Sequence, residues 1–409
     1  MPSSASLHQD FKDSAKDHVA DVESLHNVVP KTTPRPPIRY SSPAAFVSSV
    51  GERFKSVWTK RFALSLLAGQ LVSLCITCTN VTTTELVQRN WALSTTQSVF
   101  LYFSLFMIYT PFTIYKYGFK GWAEVIFKDG WKYFILAACD VEGNFMVVKA
   151  YQYTDLLSCM LLDAFMGHPS LLILLMGVHA YKIPVDSTTR AASSLPSFNQ
   201  IVTFYLQGVF ICIIGLGLLV TADVVTDKNF SPVDRGKGDA FMVAGATLYG
   251  FTNATEEFLV RRRPLYEVVG QLGMWGFMIC AIQAASLEHA GMHTATWNGA
   301  TVGLILAYTA AMFILYTVAP ILYRMASSGY YNLSLLSSDF YGLLFGLFLF
   351  HYSPYWLYFI AFAVVLCGLI TYFWSSAPEE QGELNPQAPE YVQAKRENLR
   401  GPQSVAGNV

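Results

Sequence analysis

The chain has 409 residues, of which 53% are hydrophobic and only 13% are charged, whereas roughly 25% of residues are charged in an ordinary soluble domain. A soluble core of this length could not enclose that much apolar surface, so we expect the excess to face lipid. The formal net charge of −1 gives no electrostatic reason to expect nucleic acid as a partner.

The two ends of the chain are polar. Residues 1–55 are rich in Ser, Pro, Lys and Asp, and residues 377–409 are rich in Pro, Glu, Gln and Asn. Such segments bury too little apolar surface to offset the entropy lost on ordering, so we expect two disordered tails. The first 60 residues contain no apolar core of signal-peptide length, so membrane insertion is expected to begin with the first apolar span.

Ten apolar stretches of membrane-spanning length lie between the tails. They are 61–83, 93–116, 131–150, 157–180, 199–222, 239–260, 266–287, 298–320, 330–350 and 355–375. In lipid each backbone amide needs a partner within its own segment, so these spans are predicted to be helices. The predicted fold is therefore an all-α polytopic membrane protein with ten transmembrane helices, in two five-helix halves at 60–222 and 239–375.

The lysine and arginine distribution predicts the orientation. With a cytoplasmic N-terminus, fourteen basic residues fall in inside segments and five in outside segments. Because basic residues accumulate on the cytoplasmic side, both termini are predicted to be cytoplasmic. Asn229 then falls in an outside loop as an acceptor for a glycan, although Pro232 follows its Asn-Phe-Ser sequence and weakens that assignment.

An internal repeat is visible in two stretches. Residues 79–89 (TNVTTTELVQR) and 252–262 (TNATEEFLVRR) share Thr-Asn-x-Thr and Leu-Val-x-Arg at an offset of 173 positions. An offset of 172 sets the junction 154–160 against the junction 326–332. Because five helices are an odd number, the second half would enter the membrane from the opposite side. The sequence therefore predicts two inverted five-helix repeats, the symmetry that alternating access requires.

Several polar residues fall inside predicted spans, where a charge costs roughly 2.5–3.5 kcal/mol on insertion scales. Candidate binding residues of the third span and its outer end are Asp140, Glu142, Asn144, Lys149, Tyr151, Gln152 and Tyr153. Those of other spans are Asn80, Asp163, Asn253, Asn332 and Asp339. A carboxylate at mid-membrane must be paired or protonated, so a coupling proton is one expected partner.

Structural roles compete with binding at some of these positions. Glu256 and Glu257 precede three arginines, which favours an ion-pair cluster at the membrane interface. Asn80 and Asn253 could serve only as hydrogen bonds between helices. Tyr151 and Tyr153 fit either an aromatic belt or a stacking surface.

The sequence contains no pattern for enzymatic or cofactor chemistry. The seven cysteines all lie in apolar runs and read as small hydrophobic residues. His289 and His293 are four apart, but no cysteine or carboxylate set accompanies them to bind a metal. A Walker A sequence is absent as well. We therefore expect no enzyme activity, no cofactor and no metal.

The chain carries a set of specific stretches: 69–74 (GQLVSL), 140–144 (DVEGN), 149–154 (KAYQYT), 161–163 (LLD), 256–260 (EEFLV), Asn332-Leu333 and 339–341 (DFY). Together they resemble the F branch of solute carrier family 35, within the drug/metabolite transporter superfamily, over about residues 60–375. The resemblance implies a carrier with ten helices in two inverted halves and a central cavity. It adds Tyr341 to the candidate binding residues, and it implies a substrate class near nucleotide-sugars or queuine-type bases and nucleosides.

The charges of the predicted interior bear on the solute. A nucleotide-sugar carries two negative charges that call for buried cations, but the interior offers mainly carboxylates, amides and tyrosines, with Lys149 as its clear cation. This favours a secondary transporter for a nucleobase-like or nucleoside-like solute. A Golgi or endoplasmic-reticulum nucleotide-sugar antiporter and a non-transporting receptor or scaffold remain alternatives. The sequence leaves open the plasma membrane or an endomembrane as location, and also a homodimer.

Overall fold

The computed structural model describes a large part of the chain. The described residues are 39, 41–58, 60–153, 159, 207–208, 210–211, 214–215, 217–218, 221, 235–326, 328–348, 356–375, 387–389 and 392–393. The expected spans 157–180 and 199–222 lie largely outside these residues, as do the candidates Asp163 and Asn229.

The described elements are α-helices, and the described ranges contain no strand. In chain order they are α1 (Pro43–Val57), α2 (Lys60–Gln88), α3 (Ser94–Ala150), α4 (Arg235–Arg262), α5 (Leu265–Leu287), α6 (His289–Thr294), α7 (Gly299–Met325), α8 (Ser328–Phe348) and α9 (Leu357–Ser375). Among the described helices, α2, α3, α5 and α7 are long and apolar enough to cross a membrane.

Helix α1 begins inside the segment expected to lack structure. The Ser42 hydroxyl accepts a hydrogen bond from the Ala45 backbone N–H at 3.2 Å, and Pro43 occupies the first helical turn. A serine cap satisfies an N–H that has no partner within the helix, and proline needs no N–H partner there. These local signals account for a helix at 43–57, where average composition alone suggested none. The chain divides into two compact units, Met1–Trp58 and Thr59–Val409, and α1 belongs to the first.

Helix α3 is two helical segments that fold back on each other. Gly118 interrupts it with φ 73° and ψ 158°, a conformation that suits glycine because it has no Cβ. In one straight helix, residues 38 positions apart would be separated by about 57 Å. The Tyr102 hydroxyl instead lies 2.7 Å from the Asp140 carboxylate, 38 positions later. We call the two antiparallel segments α3a (94–117) and α3b (119–150).

Helix α5 packs on both segments of α3, helix α2 packs on α7 and α8, and α4 packs on α3 and α7. Three glycines of α5 allow its close approach to α3a. A Cβ added at Gly270 would lie 3.2 Å from the Tyr109 carbonyl carbon, and one at Gly273 would lie 2.6 Å from the Phe106 nitrogen. A Cβ at Gly276 would overlap the Tyr102 ring. Small residues commonly permit such contact between membrane helices, where dispersion rather than hydrophobic burial drives association.

We expect Gly273→Ala to destabilise the fold by about 1–3 kcal/mol, the range for an overpacked core, because the new methyl group would meet backbone atoms of α3a. The check is the unfolding midpoint of the purified protein in detergent. Gly303→Ala is the matched control, since nothing lies within 4 Å of its added Cβ. Equal midpoints for the two variants would show that α5 does not depend on this contact.

Candidate functional site

Asp140 is the centre of a buried polar network. Its side chain in α3b is only 2% exposed. One carboxylate oxygen, Oδ2, accepts hydrogen bonds from the Tyr102 hydroxyl of α3a at 2.7 Å and the Tyr316 hydroxyl of α7 at 2.8 Å. Hydrogen bonds to a charged group are worth about 1.5–3 kcal/mol each, so the two phenols offset much of the cost of burying this acid.

Asn144 lies one turn after Asp140 on the same face of α3b and completes the network. Its Nδ2 donates to the Tyr102 and Tyr316 hydroxyls at 2.7 and 2.9 Å. Its Oδ1 accepts from the Tyr249 hydroxyl of α4 at 2.9 Å. The donor directions are mutually consistent, because each of the two phenols accepts from the amide and donates to the carboxylate. We call these five residues the central network.

Close helix approach brings α4 into the central network. A Cβ added at Gly245 of α4 would lie 2.7 Å from a methyl group of Val147 and 3.1 Å from the Gly143 carbonyl oxygen of α3b. A Cβ at Gly143 would in turn lie 3.1 Å from the Tyr249 ring. The missing side chains at the two glycines therefore place Tyr249 within reach of Asn144.

Helix α4 presents a polar stripe toward the central network. Tyr249, Thr252, Asn253 and Glu256 follow the i, i+3, i+4, i+7 spacing of one helical face. Tyr249 bonds Asn144, and the Asn253 Oδ1 accepts from the Tyr323 hydroxyl of α7 at 3.1 Å. The opposite face carries exposed Phe251 and Phe258.

The two neighbouring glutamates of α4 behave differently. Glu257 pairs with Arg261 one turn later, as expected of an interface ion pair. Glu256 points elsewhere, since consecutive helical residues are about 100° apart. Its side chain is 4% exposed, and its Oε1 has no hydrogen-bond partner among the described residues. The ion-pair interpretation therefore fits Glu257 and does not fit Glu256.

Several predicted site residues lie outside the central network. Glu142, half-buried on another face of α3b, accepts a hydrogen bond from Gln283 of α5. Lys149 is half-buried at the end of α3b, and Tyr151, just beyond it, is buried. Gln152 donates to the Ser94 hydroxyl at 2.9 Å, where it joins the end of α3b to the start of α3a.

Tyr153 and Asn80 contact neither Asp140 nor Asn144 through any of their described interactions. Tyr153 stacks on Phe241 of α4 with ring centroids 6.0 Å apart, and the Lys237 ammonium lies 4.5 Å from its ring centroid. Asn80 is half-buried in α2, where its backbone carbonyl accepts from the Thr84 hydroxyl.

A second polar contact joins α2 to α8. The Tyr341 hydroxyl donates to the Gln70 Oε1 at 2.8 Å, and the Gln70 Nε2 donates to the Ser337 hydroxyl at 3.2 Å. Asn332 and Asp339 belong to the same helix, α8, but their side chains lie outside the described part of the structure.

One end of the bundle carries a charged cluster. Glu267, at the start of α5, is fully buried and accepts from the Tyr117 and Tyr133 hydroxyls at 2.6 and 2.7 Å. Arg263 reaches Asp129 at 2.5 Å and Glu267 at 3.7 Å. The cluster therefore holds α3a, α3b and the start of α5 together.

Arginines cap the helix ends beside this cluster. Arg324 donates to the Val260 carbonyl in the last turn of α4 and to the Arg263 carbonyl just after this helix, at 2.7 Å each. Arg61 donates to the Arg324 and Met325 carbonyls at 3.2 Å each, where α7 ends. The last carbonyls of a helix lack partners within it and carry partial negative charge, so cations are favourable there.

Sequence reasoning missed the phenols of the central network and the burial of Glu256 away from the arginines. With 23 tyrosines in the chain, residue type alone could not select Tyr102, Tyr249 and Tyr316. One signal was present, because Tyr316 stands 172 positions after Asn144, the offset already seen between the two repeats.

These features define a multi-pass α-helical membrane protein with a polar interior. The family profile SLC35F, solute carrier family 35, matches residues 58–184 and 198–374. The chain belongs to this family.

Curated relatives agree with this assignment. A solute carrier family 35 member of Schizosaccharomyces pombe is 40% identical over 313 residues, which cover 76% of this chain and 58% of the relative. Solute carrier family 35 member F2 of Mus musculus is 33% identical over 80% of this chain and 84% of its own length. The Xenopus tropicalis member F2 is 31% identical over 78% and 79%, respectively.

A protein solved by crystallography has a similar fold. It aligns with a TM-score of 0.50 and 14% sequence identity, and the alignment covers 76% of this chain and 96% of the solved one. At this identity the likeness concerns the fold alone.

We expect Tyr102→Phe to lower the free energy of unfolding by about 1.5–3 kcal/mol, because Asp140 loses a donor and Asn144 loses an acceptor while the ring remains. The measurement is the unfolding midpoint in detergent. Tyr115→Phe is the control, since Tyr115 also lies in α3a but is 80% exposed. A similar midpoint for both variants would remove the hydroxyl of Tyr102 from the stabilising network.

Proposed function

We propose that this chain is a secondary transporter that moves a small organic solute by alternating access, and that the solute is a neutral or cationic nucleobase-like or nucleoside-like compound of the queuine type. Membership of solute carrier family 35 supports a carrier. The central network of Asp140 and Asn144, buried between four helical segments, is the observation that carries the proposal.

The proposal includes ten membrane helices in two inverted five-helix repeats. Residues at equivalent positions of two repeats touch only near the pseudo-two-fold axis that relates them. Asn144 bonds Tyr316 at a separation of 172 positions. At an offset of 173 positions, Gly276 corresponds to Phe103. Gly276 lies against the ring of Tyr102, the residue next to Phe103. Both contacts support an axis through the middle of the bundle.

Pairwise helix packing supports the same symmetry. Under the repeat, α2 corresponds to α4, α3a to α5 and α3b to α7. The symmetry then relates two contacts, that of α2 with α7 and that of α4 with α3b. Both contacts are extensive. An inverted repeat gives one sequence two related conformations that open to opposite sides, which a carrier needs.

The described charges favour a neutral or cationic solute over a nucleotide-sugar. The central network and the stripe of α4 contribute two carboxylates, Asp140 and Glu256. The nearby Arg324 donates to backbone carbonyls, and Arg261 is paired with Glu257. A pyrophosphate placed beside two buried acids would meet repulsion rather than the bidentate cation contacts that such groups require.

The orientation and location belong to the proposal. Both termini are placed in the cytoplasm because the basic residues concentrate on that side. The Arg61, Arg263 and Arg324 end of the bundle would then face the cytoplasm. We place the chain in the plasma membrane or an endomembrane, with a proton as the coupling ion that buried carboxylates could carry.

A thermal-shift panel on the purified full-length protein tests the solute class. Ligand binding to the folded state raises the unfolding midpoint by mass action. We expect purine bases or nucleosides to raise it and UDP- or GDP-sugars to leave it unchanged. Stabilisation by nucleotide-sugars alone would favour a nucleotide-sugar antiporter, and no stabilisation together with no uptake in proteoliposomes would favour a receptor or scaffold.

We expect Asp140→Asn to reduce the initial uptake rate of a stabilising purine compound at least 10-fold in proteoliposomes, with the protein still folded in the membrane. The amide oxygen can accept from Tyr102 and Tyr316, so the variant removes the charge and keeps the hydrogen bonds. Glu85→Gln, which neutralises a glutamate paired with Arg89 at the end of α2, is the control. Wild-type uptake by both variants would exclude Asp140 from the transport mechanism.

A further inference from the structure

Glu256 and Thr252 are buried side chains with unused hydrogen-bonding capacity. They stand one turn apart on the polar stripe of α4 and are 4% and 2% exposed. Among the described residues, neither the Glu256 Oε1 nor the Thr252 Oγ1 has a hydrogen-bond partner. A buried carboxylate without a hydrogen-bond partner costs free energy, and such groups in proteins generally have partners.

The surroundings of Glu256 add negative charge and aromatic surface. Asp140 and Tyr323 are both close enough to Glu256 to interact with it electrostatically. The Tyr323 ring contacts the Tyr331 ring edge-on, with centroids 5.2 Å apart. Two carboxylates with aromatic rings nearby form an environment that attracts a cation.

The nearest arginines along α4 and α7 already have other partners. Arg261 pairs with Glu257 and donates to the Ala326 carbonyl. Arg324 donates to the Val260 and Arg263 carbonyls. Through these contacts both arginines pair with groups other than the two central acids.

We propose that Glu256 binds a protonated nitrogen of the transported solute, with the Thr252 hydroxyl as a second acceptor and the Tyr323–Tyr331 pair beside the ring that carries this nitrogen. This inference rests on the proposed transport function and narrows its substrate class. The preferred solute is a purine-like ring bearing an aliphatic amine that is charged at neutral pH.

Two probes of equal size separate charge from shape. N6-(2-aminoethyl)adenine carries an ammonium group where N6-propyladenine carries a methyl group. Binding of each to the full-length protein in detergent is measured by titration of the unfolding midpoint, alongside the Glu256→Gln variant. We expect wild type to bind the cationic probe at least 10-fold more tightly than the neutral one, and Glu256→Gln to lose that preference while its affinity for the neutral probe stays within about 2-fold.

Glu257→Gln is the matched control, because it removes a charge from the adjacent residue, which pairs with Arg261 instead. It is expected to keep the cation preference. Equal binding of the two probes by wild type, or an unchanged preference in Glu256→Gln, would overturn the role of Glu256 and leave the transport proposal standing. Absence of binding by wild type to either probe, with no purine active in the panel, would overturn both.

Discussion

The structure depends on a carboxylate buried in an apolar layer. Asp140 cannot be kept there as an anion without donors, and its own helix supplies no side-chain donor to its Oδ2 among the described contacts. The donors come from Tyr102 and Tyr316, so α3b is joined to α3a on one side and to α7 on the other. Asn144 extends the same constraint to α4 through Tyr249. Four helical segments are thus positioned by one charge.

Glycines allow the helices to approach closely enough for these hydrogen bonds to form. The Tyr102 ring occupies the space above Gly276, and Tyr249 lies against Gly143. Phenols can reach a mid-membrane acid only when their helices approach closely, and small residues permit that approach. The packing positions and the polar network therefore depend on each other. A larger residue at Gly276 would displace Tyr102, a donor to Asp140, and a larger residue at Gly143 would displace Tyr249, a donor to Asn144.

The sequence predicted those residues of the candidate site whose burial in a membrane costs free energy. Asp140 and Asn144 stood out because polar groups in an apolar span need a reason to be there, and their four-residue spacing placed them on one face. Tyr102, Tyr249 and Tyr316 carry no such cost, since tyrosine is common in membrane helices and its contacts depend on tertiary structure. The separate spans 93–116 and 131–150 already predicted a reversal between Tyr102 and Asp140, but its position at Gly118, one glycine among 28, was not predicted. Glu256 was grouped with Glu257 because both precede arginines, although one helical step turns the two side chains apart.

Two buried glutamates of the bundle differ in their hydrogen bonding. Both carboxylate oxygens of Glu267 accept from phenols. Within the described part of the chain, the Glu256 Oε1 and the Thr252 Oγ1 beside the central network have no hydrogen-bond partner. A ligand shifts a conformational equilibrium only through interactions that differ between states. Under the proposal for Glu256, a solute cation would pair with this carboxylate and change the charge balance against Asp140, whose network joins α3, α4 and α7.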